Sequence, residues 1–325
     1  RLVGSEMCIR DRYHGRTLAT AGMTRSKTLY GVNQGPLVPG VFSTAFPYYS
    51  HFGASPDTPE EELTRVSLER LRLLLKQETA PEDTAAIIVE TALGEGGYVP
   101  APRAFLHGVR EICSKHGILM ISDEVQTGFG RTGKMFAVEH SGVTPDIMVF
   151  AKGLANGFPL SGIVSRKEIM DKCIPGTLGG TYAGNAVSCA AARAVVQAFR
   201  EERILDNVAA RYVERTALWK LTARSKQLTD GLEKVRTSSP AGKYIEQIRG
   251  RGLMIGVQLR TPEDKPLAGK LTQACLRHGM LLLSTSSFDV VRWIPPLNVS
   301  ASELDEGLRI FEAALTDAAK EQGLL

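Results

Sequence analysis

The chain lacks any apolar stretch close to the roughly 20 residues that a bilayer-spanning helix needs. It also lacks a basic run with interleaved aromatic residues, and its formal net charge is only +4. These two absences argue against nucleic acid as a partner and against a helix that crosses a membrane. We therefore expect a globular protein with neither nucleic acid nor membrane as a partner.

Cysteine is scarce and scattered, with five residues in 325 and no CxxC spacing. The six histidines show no metal-ligand spacing either. We therefore expect free thiols and no metal site, rather than a disulfide framework or a zinc centre. Free thiols indicate a reducing compartment, and we expect a cytoplasmic or mitochondrial location. From the N-terminal residues as given, we expect no secretory signal.

Short apolar runs alternate with helical patterns along most of the chain, which predicts an α/β fold with a mainly parallel sheet and helices on both faces. A helix is predicted after the N-cap Thr58, with one apolar face formed by Leu63, Val66, Leu73 and Leu74 and with Leu71 at its border. The composition changes near Pro240, and a smaller C-terminal α+β domain is predicted beyond it. We expect a large domain over 13–236 and a small domain over 237–325.

Two apolar runs end in opposite charges. Ile118–Ile121 leads to Asp123, and Ile147–Phe150 leads to Lys152. Ligands of open α/β sheets lie beyond the carboxyl ends of the strands, so both side chains would face one crevice. Each charge alone is more often a cap or a solvated group, but the pair suits pyridoxal phosphate. The carboxylate would keep the ring nitrogen protonated, and the amine would form a Schiff base and move a proton.

The segments around this pair resemble the class III (subgroup II) aminotransferases of fold-type I. The matching residues are DEVQTGFGRTG from Asp123 and PDIMVFAKG from Pro145, and the similarity extends from about Tyr13 to the C-terminus. The resemblance implies a fold-type I transferase with pyridoxal 5'-phosphate as cofactor. It makes Lys152 the Schiff-base lysine and Asp123 the partner of the ring nitrogen.

Further cofactor contacts follow from the resemblance. Val125 would pack on one face of the ring and Tyr13 on the other, and Gln126 would contact the phenolic oxygen. Thr181 would reach the cofactor phosphate of the neighbouring subunit, which implies a homodimer with a shared active site. Taken without the resemblance, Val125 is also compatible with the core, Gln126 with a turn, and Thr181 with an ordinary capped loop.

The resemblance also implies substrate contacts. Arg16 would bind a substrate carboxylate, and Glu95 would pair with Arg292, as in relatives that act on ω-amino acids. The pair would open when an α-carboxylate must be bound. Glu90 and His14 would support the residues that contact the cofactor and substrate. The alternatives are a surface role for Arg16, solvated charges for Glu95 and Arg292, and a purely structural His14.

The chain departs from the family pattern in two places. Family members carry a long stretch before the Tyr13 segment, so we expect this chain to be N-terminally incomplete. We expect Arg1–Arg12 to be a non-native segment from cloning, adapter or assembly. Tyr212–Arg224 interrupts a helix of the family pattern, and both a retained intron and a genuine helical insertion explain it.

The sequence therefore predicts an aminotransferase that moves an amino group from an ω-amino acid such as 4-aminobutyrate to a 2-oxo acid. Within the family, acetylornithine or ornithine aminotransferase and a decarboxylating relative remain open. From another class, an inactive truncated fragment that only pairs with an intact subunit also remains open.

Overall fold

The computed structural model describes residues 5–9, 12–209, 223–285 and 287–325. Most of the predicted insertion, residues 212–222, therefore lies outside the described residues. The strands are β1 (Ser5–Ile9), β2 (Val41–Thr44), β3 (Thr84–Glu90), β4 (Ala92–Leu93), β5 (Val99–Pro100), β6 (Leu119–Asp123), β7 (Ile147–Phe150), β8 (Gly162–Ser165), β9 (Ile245–Arg251), β10 (Met254–Leu259), β11 (Leu283–Ser284) and β12 (Val290–Trp293). The helices are α1 (Leu18–Met23), α2 (Glu60–Gln77), α3 (Arg103–His116), α4 (Lys167–Met170), α5 (Ala186–Glu201), α6 (Ile204–Val208), α7 (Arg224–Ser238), α8 (Ala268–Arg277) and α9 (Ala301–Glu321).

The large sheet has six strands within the described residues, in the order β2-β1-β3-β6-β7-β8. Neighbouring strands pair in parallel from β2 through β7, and only β8 runs antiparallel to its neighbour. Parallel pairing brings the carboxyl ends of β1, β3, β6 and β7 to one edge. The predicted mainly parallel α/β sheet is confirmed.

Strand β1 lies within the segment that was expected to be non-native. Its backbone pairs with β2, as Glu6 does with Val41, and with β3, as Met7 does with Ile87. Ser5–Ile9 thus occupies an interior position of the sheet. The pairing does not test where the segment comes from, and its origin stays a prediction.

The buried face of α2 differs from the predicted one. Leu73 is 49% exposed, whereas Leu71, placed at the border, is only 1% exposed and lies within the buried face. Buried Thr64 and Ser67 share this face, so the apolar residues alone misplaced its centre. α3 approaches this helix closely, since a Cβ at Gly108 would lie 2.4 Å from Leu68 Cδ1.

The described residues form two compact units. The first comprises the described residues up to Leu93 together with Ala101–Phe129 and Phe136–Ala198. The second comprises Gly94–Pro100, Gly130–Met135 and the described residues from Phe199 to Leu325. These units do not test the predicted domain boundary between residues 236 and 237, which stays a prediction.

The second unit contains a four-stranded antiparallel sheet, in the order β11-β12-β10-β9. Its core is built on side chains from this sheet and from α7, α8 and α9, and Leu232, Leu271 and Phe311 are fully buried there. Burial of such apolar side chains is the main source of stability of a unit of this kind. The predicted smaller C-terminal α+β domain is therefore present.

Four cysteines in the described part of the chain, Cys113, Cys173, Cys189 and Cys275, are free. Cys113 and Cys275 are buried, Cys189 is half-buried and Cys173 is exposed. Burial raises the pKa of the Cys113 and Cys275 thiols to about 12, which leaves both thiols protonated and unreactive at neutral pH. Within the described residues, no helix combines the length and apolar character needed to cross a membrane, and no group of three or more acidic, His or Cys side chains could hold a metal ion.

Asp146 anchors the start of β7, the strand that leads to Lys152. Its carboxylate accepts hydrogen bonds from the Met120 backbone N–H at 2.8 Å, from Arg110 at 2.6 Å and from Arg166 at 2.9 Å. Burial alone would raise the pKa of Asp146, but the Met120 hydrogen bond and the two guanidinium groups outweigh it and lower the pKa. The carboxylate therefore helps to hold the register between β6 and β7.

We expect Asp146→Asn to lower the free energy of unfolding at neutral pH by about 1.5–3 kcal/mol, because hydrogen bonds to a charged group are lost. Since the folded-state pKa is lowered, this contribution is present above the ordinary value of 3.8 and is lost as pH falls through the folded-state value. Denaturant titrations at neutral and acidic pH measure the difference. Asp171→Asn, which removes an exposed pair with Lys167, is the control and should change stability by less than about 1 kcal/mol. An Asp146→Asn effect that is equal at both pH values would contradict the assignment.

Candidate active site

The carboxyl edge of the large sheet aligns the predicted cofactor residues. Glu90 at the end of β3 lies in register with Asp123 at the end of β6, and Asp123 lies in register with Val149 of β7. The Glu124 backbone N–H donates to the Val149 carbonyl at 2.8 Å. Lys152 follows Val149 by three residues. The structure thus places Asp123 and Lys152 at neighbouring strand ends, as the sequence predicts.

Asp123 is buried and held from two sides. His14 Nδ1 lies 2.6 Å from Asp123 Oδ2, and the Val125 backbone N–H donates to Oδ1 at 2.9 Å. The side chains of His14 and Asp123 are only 3% and 7% exposed. With Nδ1 as donor, the imidazole orients the carboxylate. His14 Nε2 is buried and has no hydrogen-bond partner within the described residues.

The segment after β1 is tied to the same edge. The Tyr13 backbone N–H donates to Glu90 Oε1 at 3.0 Å, so buried Glu90 positions this segment as His14 does. The Tyr13 ring packs edge-on against Tyr30, with ring centroids 5.3 Å apart. The exposed Arg16 guanidinium lies 4.4 Å from the Tyr30 ring centroid, a cation–π contact that directs its side chain.

Lys152 sits on strained backbone. Its φ of 40° lies in the left-handed region, which is uncommon for residues other than glycine and is often found at functional sites. Its side chain is exposed. At the adjacent Gly153, a Cβ would lie 3.0 Å from Phe129 Cβ, so the absence of a side chain lets the loop after β7 pack against the turn after β6. The lysine is therefore presented beside the Asp123 turn.

The turn after Asp123 is fixed by a buried glutamate that the sequence analysis did not single out. Glu124 accepts hydrogen bonds from the backbone N–H of Ala137 at 3.0 Å, from that of Val138 at 2.7 Å and from the Thr127 hydroxyl. The Thr91 hydroxyl in turn donates to Thr127 Oγ1 at 3.2 Å. Burial raises the pKa of Glu124 against these hydrogen bonds. The only sequence signal was its place in the motif directly after Asp123.

The remaining predicted cofactor contacts differ in their surroundings. Val125 and Gln126 are half-buried in the turn after Asp123. Thr181 is exposed, on a turn in which the Ala183 N–H donates to the Gly180 carbonyl at 2.9 Å. The structure therefore brings Val125 and Gln126 to the Asp123 edge, whereas the role of Thr181 stays a prediction.

The second unit contains the predicted Glu95–Arg292 pair. Arg292 Nη1 lies 2.9 Å from Glu95 Oε1, and Arg292 also donates to the carbonyls of Ser284 at 3.1 Å and Gly94 at 3.4 Å. The Arg292 and Glu95 side chains are 10% and 17% exposed. Glu95 Oε2 and Arg292 Nε lack a hydrogen-bond partner within the described part of the chain.

Tyr98 is a neighbour of this pair that the sequence analysis missed. Its ring centroid lies 5.7 Å from the Arg292 guanidinium carbon, and its side chain is fully buried. Burial raises the pKa of Tyr98 to about 12 against the charge of Arg292. The aromatic face therefore stays neutral beside the guanidinium, and no local sequence pattern distinguishes it from an ordinary core tyrosine.

The side chains at the carboxyl edge of the large sheet fit a pyridoxal ring. Each carboxylate oxygen of Asp123 makes one hydrogen bond, to His14 or to the Val125 N–H. Each oxygen has a further lone pair that could accept the N–H of a ring nitrogen. Half-buried Val125 lies two residues after Asp123. Tyr13 directly precedes His14, which contacts the Asp123 carboxylate. An exposed amine stands on the neighbouring strand end. The residues present therefore match the needs of this cofactor.

Comparison with known proteins gives a consistent result. A family model described as aminotransferase class-III matches residues 5–315. The 5-aminovalerate aminotransferase of Pseudomonas putida is 39% identical over 313 residues, which cover 94% of this chain and 68% of that protein. The 4-aminobutyrate aminotransferase of Escherichia coli is 36% identical over 313 residues, which cover 94% of this chain and 67% of that protein.

Solved structures agree with the sequence matches. An (S)-enantioselective omega-transaminase from Thermomicrobium roseum superposes with a TM-score of 0.83 at 30% identity, covering 97% of this chain and 68% of that one. The resemblance and fold predicted from sequence are thus confirmed, as is the cofactor. The chain belongs to the class III aminotransferases, a family of pyridoxal-phosphate-dependent enzymes.

Proposed function

We propose that this chain transfers the amino group of an ω-amino acid, of the 4-aminobutyrate or 5-aminovalerate kind, to a 2-oxo acid. The observation that carries the proposal is the Glu95–Arg292 ion pair at 2.9 Å. A guanidinium that exchanges an internal carboxylate for that of a substrate suits an enzyme whose two substrates differ at the reacting carbon. The names of the two curated relatives support the same substrate class and do not favour the alternatives left open by the sequence.

Pyridoxal phosphate, when bound, supplies an electron-withdrawing ring that stabilises negative charge on the substrate carbon next to nitrogen. Asp123 would keep the ring nitrogen protonated through its carboxylate, which His14 orients. Val125 and Tyr13 would flank the ring, and Gln126 would contact its phenolic oxygen. These roles agree with the burial of Asp123 and with its hydrogen bonds to His14 and Val125.

Lys152 is the base of the reaction in this proposal. Its Nζ would hold the cofactor through the aldehyde carbon. As a free amine, Nζ would act as the general base that takes the proton from the amine-bearing carbon of the substrate, and as the general acid that holds this proton for return. Its place on strained backbone at the strand end next to that of Asp123 supports this role.

Arg16 and Arg292 bind substrate carboxylates, because the guanidinium fork matches a carboxylate. When Glu95 neutralises Arg292, a substrate without an α-carboxylate is accepted. When Glu95 moves away, Arg292 is free to bind the α-carboxylate of a 2-oxo acid or its amino product. The buried atoms that lack partners, Glu95 Oε2 and Arg292 Nε, lower the cost of this exchange because the closed pair is only partly satisfied.

The proposed enzyme is a homodimer. Between residues 158 and 187 the chain exposes a series of large apolar or aromatic side chains: Phe158, Ile163, Val164, Met170, Ile174, Leu178, Tyr182 and Val187. Such a concentration of exposed apolar side chains is typical of a surface that another protein covers. Thr181 lies in the same segment, which supports its assignment to the cofactor phosphate of the partner subunit.

The purified chain mixed with pyridoxal phosphate should show a visible absorption band that borohydride fixes covalently on Lys152. Lys152→Ala should abolish both the band and the fixed cofactor, because it removes the amine at the strand end next to Asp123. Spectroscopy and peptide mass spectrometry measure the two effects. Lys167→Ala, at an exposed lysine paired with Asp171, is the control and should keep the band. A band that survives Lys152→Ala would contradict the assignment.

Glu95→Gln should lower kcat/KM for 4-aminobutyrate about tenfold relative to kcat/KM for 2-oxoglutarate, because the carboxylate no longer neutralises Arg292. Steady-state kinetics with a panel of amine donors and oxo acceptors measures this ratio. Glu246→Gln, at a glutamate of the same unit that pairs with Arg260, should leave the ratio unchanged. An unchanged ratio in Glu95→Gln would refute the switch.

Sedimentation equilibrium should give the wild-type chain twice its monomer mass. Ile174→Glu should shift the equilibrium towards monomer and weaken cofactor binding, since a charge would be buried at the interface. Leu281→Glu, at an exposed leucine of the second unit, is the control and should remain dimeric. A monomeric wild-type protein with cofactor bound would rule out the shared site.

A further inference from the structure

The turn that carries Glu95 is held by a second arginine of the same unit. Arg249 lies on β9, and its Nε donates to the Gly97 carbonyl at 3.0 Å while its Nη2 donates to the Gly96 carbonyl at 3.0 Å. Its guanidinium is oriented by the amide oxygens of Gln247 at 2.9 Å and Gln258 at 3.1 Å. A rigid planar fork thus clamps two successive carbonyls directly after Glu95.

The two arginines are aligned across the small sheet. Gly256 of β10 lies in register with Arg249 on β9 and with Arg292 on β12. The three residues therefore form one row across three neighbouring strands. Arg292 contacts the turn at Gly94 and Glu95, and Arg249 contacts it two residues further on.

The middle of this row is a glycine because the turn lies directly on it. A Cβ at Gly256 would come within 2.1 Å of the Gly97 carbonyl oxygen. A Cβ at Gly97, whose φ is +85°, would come within 2.6 Å of Val290 Cγ1. The turn is thus pressed onto the sheet at Gly97, hydrogen-bonded by Arg249 on one side and ion-paired with Arg292 on the other.

We propose that Arg249 is a positioning residue that holds the Glu95 turn over Arg292 and thereby sets the preference between ω-amino acid and 2-oxo acid. This inference rests on the proposed function, since it concerns the same Glu95–Arg292 switch. Arg249 fixes the backbone, so Glu95 alone moves when the pair opens. Without the clamp, the turn loosens, the closed pair is less populated, and Arg292 is more often free for an α-carboxylate.

The test uses the cofactor-loaded enzyme and the ratio of kcat/KM for 4-aminobutyrate to kcat/KM for 2-oxoglutarate. Arg249→Met removes every donor while it keeps much of the side-chain length. It should lower this ratio about tenfold, as expected when a group is displaced by a fraction of an ångström to about 1 Å. Arg249→Lys keeps the charge but lacks the planar fork that holds both carbonyls in a fixed geometry, and it should give an intermediate ratio. If Arg249→Met does not fold, Arg249→Lys provides the measurement.

The matched control is Arg260→Met. Arg260 is an exposed arginine of the same unit that pairs with Glu246 at 3.7 Å, and its removal should leave the ratio unchanged. In a Glu95→Gln background, Arg249→Met should cause no further change in the ratio, because the residue that it positions has lost its charge. Such non-additivity is expected only of residues that act on one another.

Two results would overturn the inference alone. One is a shift in Glu95→Gln but none in either Arg249 variant, with only a lower melting temperature. The other is an Arg249→Met shift of the same size with or without the Glu95 carboxylate. If Glu95→Gln itself leaves the ratio unchanged, the proposed switch fails and the inference fails with it.

Discussion

Parallel pairing of β6 with β7 is the constraint on which the site depends. It puts Asp123 and the loop to Lys152 at one sheet edge, since the carboxyl ends of parallel strands meet there. Asp146 ties the start of the same two strands together, at the opposite edge. The Asp146 carboxylate at the start of the strands therefore supports the β6–β7 register that places Asp123 and Lys152 at their carboxyl ends.

Around this edge, buried polar groups serve as positioning elements rather than as sources of net stability. His14 orients Asp123, Glu90 holds the Tyr13 segment, and Glu124 fixes the turn after β6. Each burial costs desolvation that the hydrogen bonds offset only in this arrangement. In the second unit, Arg249 and Arg292 position one glycine-rich turn in a similar way. Arg249 binds the backbone of the turn and Arg292 binds its Glu95 carboxylate.

The sequence predicted those features that depend on local pattern or on a long motif. The mainly parallel sheet and the Asp123–Lys152 pair at neighbouring strand ends belong to this group. The approach of Glu95 to Arg292, which are 197 residues apart, followed only from the family resemblance. Sequence pattern alone failed where the outcome depends on residues distant in sequence. Leu73 was placed on a buried face because Thr64 and Ser67 carry no apolar signal. Glu124, Tyr98 and Arg249 resemble ordinary charged or core residues until their partners are known.

The central claim is that Asp123 binds the ring nitrogen and Lys152 the aldehyde carbon of the same pyridoxal phosphate. A crystal structure of the enzyme loaded with pyridoxal phosphate and fixed by borohydride tests it most directly. The account predicts a covalent link at Lys152 Nζ and a ring nitrogen within hydrogen-bond distance of an Asp123 carboxylate oxygen that His14 still contacts. A ring nitrogen that faces no carboxylate, or a link at another lysine, would contradict it.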